Sequence, residues 1–170
     1  MGTRIVAVES GVLPSAVLER LGEIVVAAYD ATGALEGDGD YVPELRDVAR
    51  RVGEAVVFAA LDDADGTPLG CVTYVPGPDN PWAEHLRDGE ASIRMLAVDP
   101  AAQGRGVGTA LAEACLARAR ADGRRAVFLH SLPAMAGAQR IYDRLGFRRT
   151  PERDWIFPDF RLMGFLLDLA

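Results

Sequence analysis

Three glycines in a short turn give this chain its clearest chemical signal. Gly104, Gly106 and Gly108 follow an apolar stretch that ends at Val98, and an alanine-rich segment with helical composition comes after them. Glycine lets the backbone approach a ligand closely, because it carries no Cβ atom. The free N–H groups of a helix's first turn and the positive end of its dipole attract anions. The spacing therefore predicts a turn that holds a phosphate or a pyrophosphate.

Two common phosphate-binding motifs do not match this turn. The nucleotide P-loop requires a lysine, and all 18 basic residues of the chain are arginine. The dinucleotide fingerprint Gly-x-Gly-x-x-Gly fails, because Thr109 stands where the third glycine would follow Gly104 and Gly106. A tight turn without any ligand stays as the structural alternative to a coenzyme site.

A second informative segment begins at Ala138 and is predicted to form an amphipathic helix. Its apolar residues at helical spacing are Ala138, Ile141, Tyr142 and Leu145. Gly146 stands where a glycine commonly ends a helix, and Phe147 then begins a strand. Tyr142 can therefore pack its ring in the core and still present a hydroxyl.

These two segments resemble the two signatures of the GNAT-type N-acetyltransferases, which use acetyl-coenzyme A. The first signature matches Gln103-x-x-Gly106-x-Gly108 preceded by Leu-Ala-Val-Asp-Pro, and the second matches the Tyr142 helix that ends in Leu-Gly-Phe. The resemblance covers about the last 80 residues. It implies an α+β (mixed α/β) fold with a central mixed sheet of about seven strands, splayed in the middle and flanked by about four helices. It also implies that residues 1–170 form one N-acetyltransferase domain.

The resemblance implies a site for acetyl-CoA, which serves as a cosubstrate, and no metal is expected. The pantetheine arm would pair with the strand backbone, and the pyrophosphate would lie in the glycine turn. The implied coenzyme-binding residues are Leu96, Ala97, Val98, Gln103, Gly104, Arg105, Gly106, Val107, Gly108 and Thr109. One position departs from the family pattern: Met135 replaces an asparagine, so the side-chain hydrogen bond to the pantetheine arm is either absent or supplied by Ser131.

The family pattern also implies catalytic roles. The Tyr142 hydroxyl would face the coenzyme sulfur and protonate the departing thiolate, and a core aromatic without that role is the alternative. Many relatives have a glutamate base where this chain has Ser92. Glu90 lies two residues earlier, on the same face of the strand, and is the candidate base. The alternative for Glu90 is a rim carboxylate that forms an ion pair with Arg94.

His130 is the rival candidate for the base. It follows the partner strand close to the expected opening of the sheet, and an unperturbed pKa of about 6.5 suits proton transfer at neutral pH. The alternative is a structural histidine. A backbone N–H of the strand that ends at Val98 is expected to stabilise the oxyanion.

The function that follows is transfer of an acetyl group from acetyl-CoA to a primary amine of a small molecule or peptide, by direct attack in a ternary complex. A non-catalytic module that senses acetyl-CoA is the alternative from another class. Transfer of a larger acyl group, or transfer to a hydroxyl, keeps the same fold.

The composition restricts the partners. A net charge of −7 disfavours nucleic acid and mildly favours a cationic acceptor. No apolar stretch approaches the roughly 20 residues of a membrane span, and no signal peptide is recognised, so a cytoplasmic protein is expected. Cys71 and Cys115 stand alone in apolar segments and are expected to be buried thiols. A homodimer is possible by analogy with the family.

The elements that must position these residues follow from periodicity. Strands are predicted at 3–9, 55–61, 69–75, up to 98, 126–129 and 161–169. Helices are predicted after Pro14, after Pro43, over 106–121 and from Pro133. Acceptor specificity is expected in the two helices and loops before residue 60, in the loop at 76–89 and in the segment 154–160.

Overall fold

The computed structural model describes residues 2–36 and 39–169. The strands in chain order are β1 Thr3–Val8, β2 Val56–Asp62, β3 Pro68–Val75, β4 Glu90–Val98, β5 Ala126–Ser131, β6 Arg148–Arg149, β7 Trp155–Ile156 and β8 Arg161–Asp168. The α-helices are α1 Ser15–Asp30, α2 Val42–Arg46, α3 Val48–Glu54, α4 Val107–Ala121 and α5 Ala136–Arg144.

The sheet has the strand order β1-β2-β3-β4-β5-β8-β6, and β7 pairs with β8 outside this path. Its neighbours are antiparallel except β4 and β5, which are parallel. The parallel ladder in the described residues ends at the pair Ser92 and Phe128. Both strands continue beyond that pair, β4 to Val98 and β5 to Ser131, so a gap opens between them. This gap confirms the predicted splay.

A β-bulge distorts β4 where the gap opens. The register of β3 against β4 shifts between Cys71 and Thr73, and Met95 adopts φ +53°. A left-handed backbone costs a residue with a side chain about 1–3 kcal/mol, and such strain persists where the surrounding structure enforces it. The bulge turns the last part of β4 relative to its first part.

The two faces of the sheet bury two separate apolar clusters. Helices α4 and α5 cover one face, where Leu111 and Tyr142 pack against Leu129. Helices α1 to α3 cover the other face, where Leu21, Leu45 and Trp82 belong to one buried apolar cluster. The site described below lies where these two layers meet at the β4–β5 gap.

The number of strands, the number of helices and the start of the last helix differ from the sequence predictions. Eight strands form in the described residues instead of about seven: the strand predicted to begin at Phe147 is β6, and the two-residue strand β7 has no readable periodicity. Five α-helices form in the described ranges instead of about four. Asp47 has a non-helical backbone and its side chain accepts the Arg50 N–H, which divides the helix predicted after Pro43 into α2 and α3. The last helix begins at Ala136 instead of Pro133.

Candidate active site

A cavity of about 600 Å³ opens at the gap, between α1, β4, α4 and α5. Nine of the ten residues predicted to bind the coenzyme line it, namely Leu96, Ala97, Val98, Gln103, Gly104, Gly106, Val107, Gly108 and Thr109. The glycine turn and the end of β4, which is unpaired on its edge toward β5, are therefore two walls of one space, although several residues separate them along the chain.

Backbone geometry explains the glycines of the turn. Gly104 has φ +80° and Gly106 has φ +78°, which favour glycine, while an added Cβ at either position would meet open space. Gly106 caps α4 without a side-chain hydrogen bond. The N–H groups of the first turn of α4 are thus available to an anion in the cavity.

Arg105 is the predicted residue that does not line the cavity. Its Nη2 atom lies 3.1 Å from Oδ2 of Asp62, at the end of β2. The Asp62 carboxylate accepts a backbone hydrogen bond from Ala64 as well, and these contacts lower its pKa, the backbone contact most. The side chain of Arg105 therefore fixes the turn to the sheet.

Two arginines that the sequence analysis did not select line the cavity instead. Arg140 and Arg144 lie one helical turn apart on α5, and both are exposed to solvent. Their i, i+4 spacing places both on one face of the Tyr142 helix, and this spacing could have predicted them as a pair of cationic residues at the site. Met135 also lines the cavity, whereas Ser131 is buried and its hydroxyl lies 3.3 Å from Nε2 of Gln139.

Tyr142 lies beside the cavity. Its ring packs against Phe147 and Phe165 at centroid distances of 5.4 and 6.3 Å, while the preceding residue, Ile141, lines the cavity wall. Burial raises the pKa of the Tyr142 phenol far above its ordinary value, with smaller contributions from Tyr29 and a cysteine. The hydroxyl therefore stays protonated and is a hydrogen-bond donor at neutral pH.

Glu90 is held in a buried ion pair. Its two carboxylate oxygens lie 2.8 and 2.9 Å from the guanidinium of Arg153, and it also accepts the Arg87 N–H. Burial raises the pKa of Glu90, but these hydrogen bonds outweigh it and the pKa is lowered. The predicted pair with Arg94 does not form, since Arg94 bonds Glu84 instead. This geometry favours a structural role for Glu90 over a catalytic base.

His130 lies on the α1 side of the gap. Its Nε2 atom is 3.0 Å from the carbonyl oxygen of Arg153, and its ring packs edge-on against Phe128. A carbonyl only accepts hydrogen bonds, so Nε2 carries the proton and Nδ1 keeps a lone pair. Burial lowers the pKa of His130, which keeps the ring neutral near pH 7. A neutral imidazole with an available nitrogen can accept a proton.

The comparisons with known proteins agree with this geometry. The sequence profile of the acetyltransferase (GNAT) family matches residues 20–147. The chain belongs to the GNAT acetyltransferase family. An uncharacterized N-acetyltransferase of Methanocaldococcus jannaschii is 37% identical over 86 residues, which are 50% of this chain and 36% of that protein. A mycothiol acetyltransferase of Actinosynnema mirum is 36% identical over 91 residues, which are 51% of this chain and 29% of that protein.

This GNAT chain thus spans about a third of the length of those relatives. Solved structures show the same fold. A GNAT-family acetyltransferase from Staphylococcus aureus superposes with a TM-score of 0.75 at 15% identity, covering 99% of this chain and 100% of the other. YncA from Salmonella typhimurium, solved with its cofactor acetyl-CoA, gives a TM-score of 0.67 at 21% identity, covering 99% and 94%.

Two features are absent from the described part of this GNAT chain. Within residues 2–36 and 39–169, no three His, Cys, Asp or Glu side chains are grouped so as to hold a metal ion. No helix in the same ranges is long and apolar enough to cross a membrane.

Proposed function

We propose that this chain is an acetyl-CoA-dependent N-acetyltransferase that acetylates a primary amine of a small molecule or peptide. One observation carries the proposal: the end of β4, which is unpaired on its edge toward β5, and the first turn of α4, which has no side-chain cap, line the same cavity of about 600 Å³. A strand edge offers hydrogen bonds to an extended amide chain, and a helix N-terminus attracts phosphate. Pantetheine and pyrophosphate are joined in this order in coenzyme A.

The coenzyme fits the residues present. The N–H groups at the start of α4 take the pyrophosphate, and the guanidinium groups of Arg140 and Arg144 add positive charge at the same cavity. The backbone of Leu96 to Val98 takes the pantetheine amides. Arg105 contributes through its backbone alone, because its side chain binds Asp62.

The chemistry is direct transfer in a ternary complex. Nδ1 of His130 accepts a proton from the ammonium, and the neutral amine attacks the thioester carbonyl. A C–N bond forms and the C–S bond breaks, while a backbone N–H at the end of β4 stabilises the oxyanion. The attacking nitrogen releases its second proton to solvent as the amide forms. The Tyr142 hydroxyl donates its proton to the thiolate and regains one from solvent. Positioning of the two substrates supplies much of the acceleration.

The deciding experiment is a calorimetric titration with acetyl-CoA, followed by an assay of free thiol with a panel of primary amines. Binding in the micromolar range or tighter, with amine-dependent thiol release, is the expected result. Replacing Arg140 and Arg144 together by Ala should weaken binding roughly tenfold or more. Arg148→Ala is the matched control, because Arg148 is exposed on β6 outside the cavity.

The outcomes separate the candidates. A folded protein without acetyl-CoA binding overturns the proposal. Binding without turnover of any amine supports the acetyl-CoA sensor instead. The homodimer and the cytoplasmic location stay predictions.

A further inference from the structure

The α1 side of the β4–β5 gap carries its own set of side chains. Ser92 and Phe128 form the last pair of the parallel ladder. Side chains two residues further along a strand lie on the same face, apart from any bulge. Arg94 and His130 therefore stand on either side of the opening, on the face of the sheet opposite to α4 and α5.

Glu84, in the loop before β4, is the carboxylate at this opening. Its Oε1 atom lies 2.7 Å from Nη2 of Arg94, and its side chain is 32% exposed. Arg94 is itself fixed, since it donates to the carbonyl of Trp82 at 3.0 Å and to the Tyr41 hydroxyl at 3.3 Å. Within the two described ranges of the chain, Oε2 of Glu84 accepts no hydrogen bond. An oriented carboxylate oxygen thus faces solvent at the entrance.

The charge of Glu84 reaches both sides of the opening. It raises the pKa of Tyr29, which lines the coenzyme cavity, although burial is the larger cause there. It also acts to raise the pKa of His130, against the stronger lowering by burial. The contact of Glu84 with Arg94, and the 5.9 Å between the rings of the next residue, His85, and His130, place Glu84 at the opening near both strands.

A row of aromatic rings, which we call the aromatic strip, leads from this opening to the surface. It consists of His85, Trp155, Phe157 and Phe160. Successive ring centroids are 4.3, 4.7 and 4.3 Å apart. His85 follows Glu84 in sequence, and its ring is also 5.9 Å from that of His130. The strip therefore begins where the carboxylate is held.

The outer end of the aromatic strip is exposed. Phe160 is 48% exposed, and the neighbouring Ile156 is 74% exposed. In the described chain one further large apolar side chain, Val12, is as exposed as these. Exposed apolar surface that is grouped instead of scattered marks a binding site.

His85 and Met95 are also the two described residues other than glycine with positive φ, both +53°, and both lie at this opening.

We propose that the acceptor is an arylalkylamine, a primary amine joined by a short alkyl chain to an aromatic ring. Glu84 binds the ammonium through Oε2, and the aromatic strip binds the ring. This assignment rests on the proposed function, because it takes the acceptor to meet acetyl-CoA at the β4–β5 gap. A polyamine or an amino sugar leaves the aromatic strip uncovered and gains nothing from it.

The test compares kcat/KM for phenethylamine, tyramine and tryptamine with that for putrescine and glucosamine. The aryl amines are expected to exceed the others by roughly tenfold or more, about the gain from burying one ring. Glu84→Gln should raise KM for tryptamine roughly tenfold or more and leave the Kd for acetyl-CoA unchanged. Glu113→Gln, an exposed glutamate on α4, is the matched control.

The aromatic strip has a separate test. Trp155→Ala should lower kcat/KM for tryptamine more than for putrescine, so that the preference falls. Val12→Ala removes exposed apolar surface elsewhere and should leave the preference unchanged. Thermal unfolding of each variant checks that it is folded.

Each outcome decides the assignment. Equal turnover of aryl and non-aryl amines, or a preference that survives Trp155→Ala in a folded protein, overturns the arylalkylamine proposal and leaves the acetyltransferase proposal standing. If acetyl-CoA binds but no amine turns over, calorimetry of tryptamine with the protein–CoA complex decides, and the lack of saturable binding overturns it. Failure of acetyl-CoA binding overturns the proposed function itself.

Discussion

Gly108 and Ile141 bring α4 and α5 into contact at the wall of the cavity. A Cβ atom at position 108 would lie 2.7 Å from Cδ1 of Ile141 and 3.5 Å from Cγ2 of Val98. Real Cβ atoms do not approach so closely, so the glycine permits this contact. Its role differs from that of Gly106, which is required by a positive φ.

Gly108→Ala should therefore affect binding more than stability. The tip of Ile141 can rotate away, and alanine favours the helix, so the free energy of unfolding should change by less than about 1 kcal/mol. The added methyl group and the displaced side chain enter the cavity, so the Kd for acetyl-CoA should rise roughly tenfold. Calorimetry and urea unfolding measure the two quantities.

Ile141→Val deletes the contacting atom and provides the matched test. In the Gly108→Ala background it should restore part of the affinity. Gly53→Ala on α3, where an added Cβ meets open space, should leave binding unchanged. An unchanged Kd for Gly108→Ala would contradict the packing argument.

Tyr142→Phe should separate binding from catalysis. The hydroxyl is proposed to protonate the thiolate, so kcat should fall by about 100-fold, the lower end for a general acid. The Kd for acetyl-CoA should stay the same. Stopped assays of free thiol and calorimetry give these values.

Tyr74→Phe is the control for a lost buried phenol. Tyr74 donates to Asp122 at 2.8 Å, on another part of the sheet, so its loss should cost about 0.5–1.5 kcal/mol of stability without changing kcat. A Tyr142→Phe enzyme with full kcat would show that Tyr142 is a packing residue.

The pKa of His130 should determine where kcat falls at acidic pH, which is the acid limb of the pH profile. The base must be neutral, so kcat rises with pH through the His130 pKa and is level above it. Because burial lowers this pKa, the midpoint should lie below about 6.5. The measurement is kcat at saturating substrates from pH 5 to 8.

His130→Gln should lower kcat and remove that limb. His85→Gln keeps His130 and should keep the limb, since His85 is proposed to contact only the acceptor's ring. A limb with the same midpoint in His130→Gln would assign the proton transfer to another group.

The Glu90–Arg153 ion pair should make the free energy of unfolding depend on pH in the acidic range. The folded pKa of Glu90 is lowered, so its contribution is complete above the unfolded value of about 4.3 and is lost as the pH falls through the folded value. Both side chains are almost fully buried, at 2% and 7% exposure. Arg153→Met should therefore cost about 3–5 kcal/mol, because it leaves a buried carboxylate without its partner.

Urea unfolding between pH 3 and 7 checks this prediction. Replacing both residues, Glu90→Gln with Arg153→Met, should cost less than Arg153→Met alone and should flatten the acid dependence. Arg148→Ala, which breaks an exposed pair with Asp168, should cost less than about 1 kcal/mol. A large loss in the double variant would mean that Arg153 acts through its other contacts, such as the His85 carbonyl.

The coenzyme side of the site could be predicted from sequence because its chemistry is local. The turn at Gly104 and Gly106 works through its own backbone, and the strand and helix beside it follow from periodicity. The predicted helix of Tyr142 also formed, with a later start. Local rules are sufficient where a site is made from adjacent residues.

The acceptor side could not be predicted because distant segments assemble it. Arg153 reaches Glu90 across 63 positions of sequence, which removes that carboxylate from the predicted pair with Arg94. Glu84 and Trp155 lie in loops without periodicity, so nothing in the order of residues joins them. Their role depends on the sheet that brings both loops to one opening.

The short parallel ladder between β4 and β5 has a consequence for the cohesion of the whole protein. The backbones of β4 and β5 pair at three positions, so side-chain packing supplies most of the contact between the two halves of the sheet. On the proposed function, the pantetheine arm bridges this seam as a detachable strand. Those amide hydrogens at the end of β4 that point toward β5, and not toward its partner β3, should then exchange slowly only when ligand is present. The concentration of acetyl-CoA would then determine the stability of the protein as well as its turnover rate.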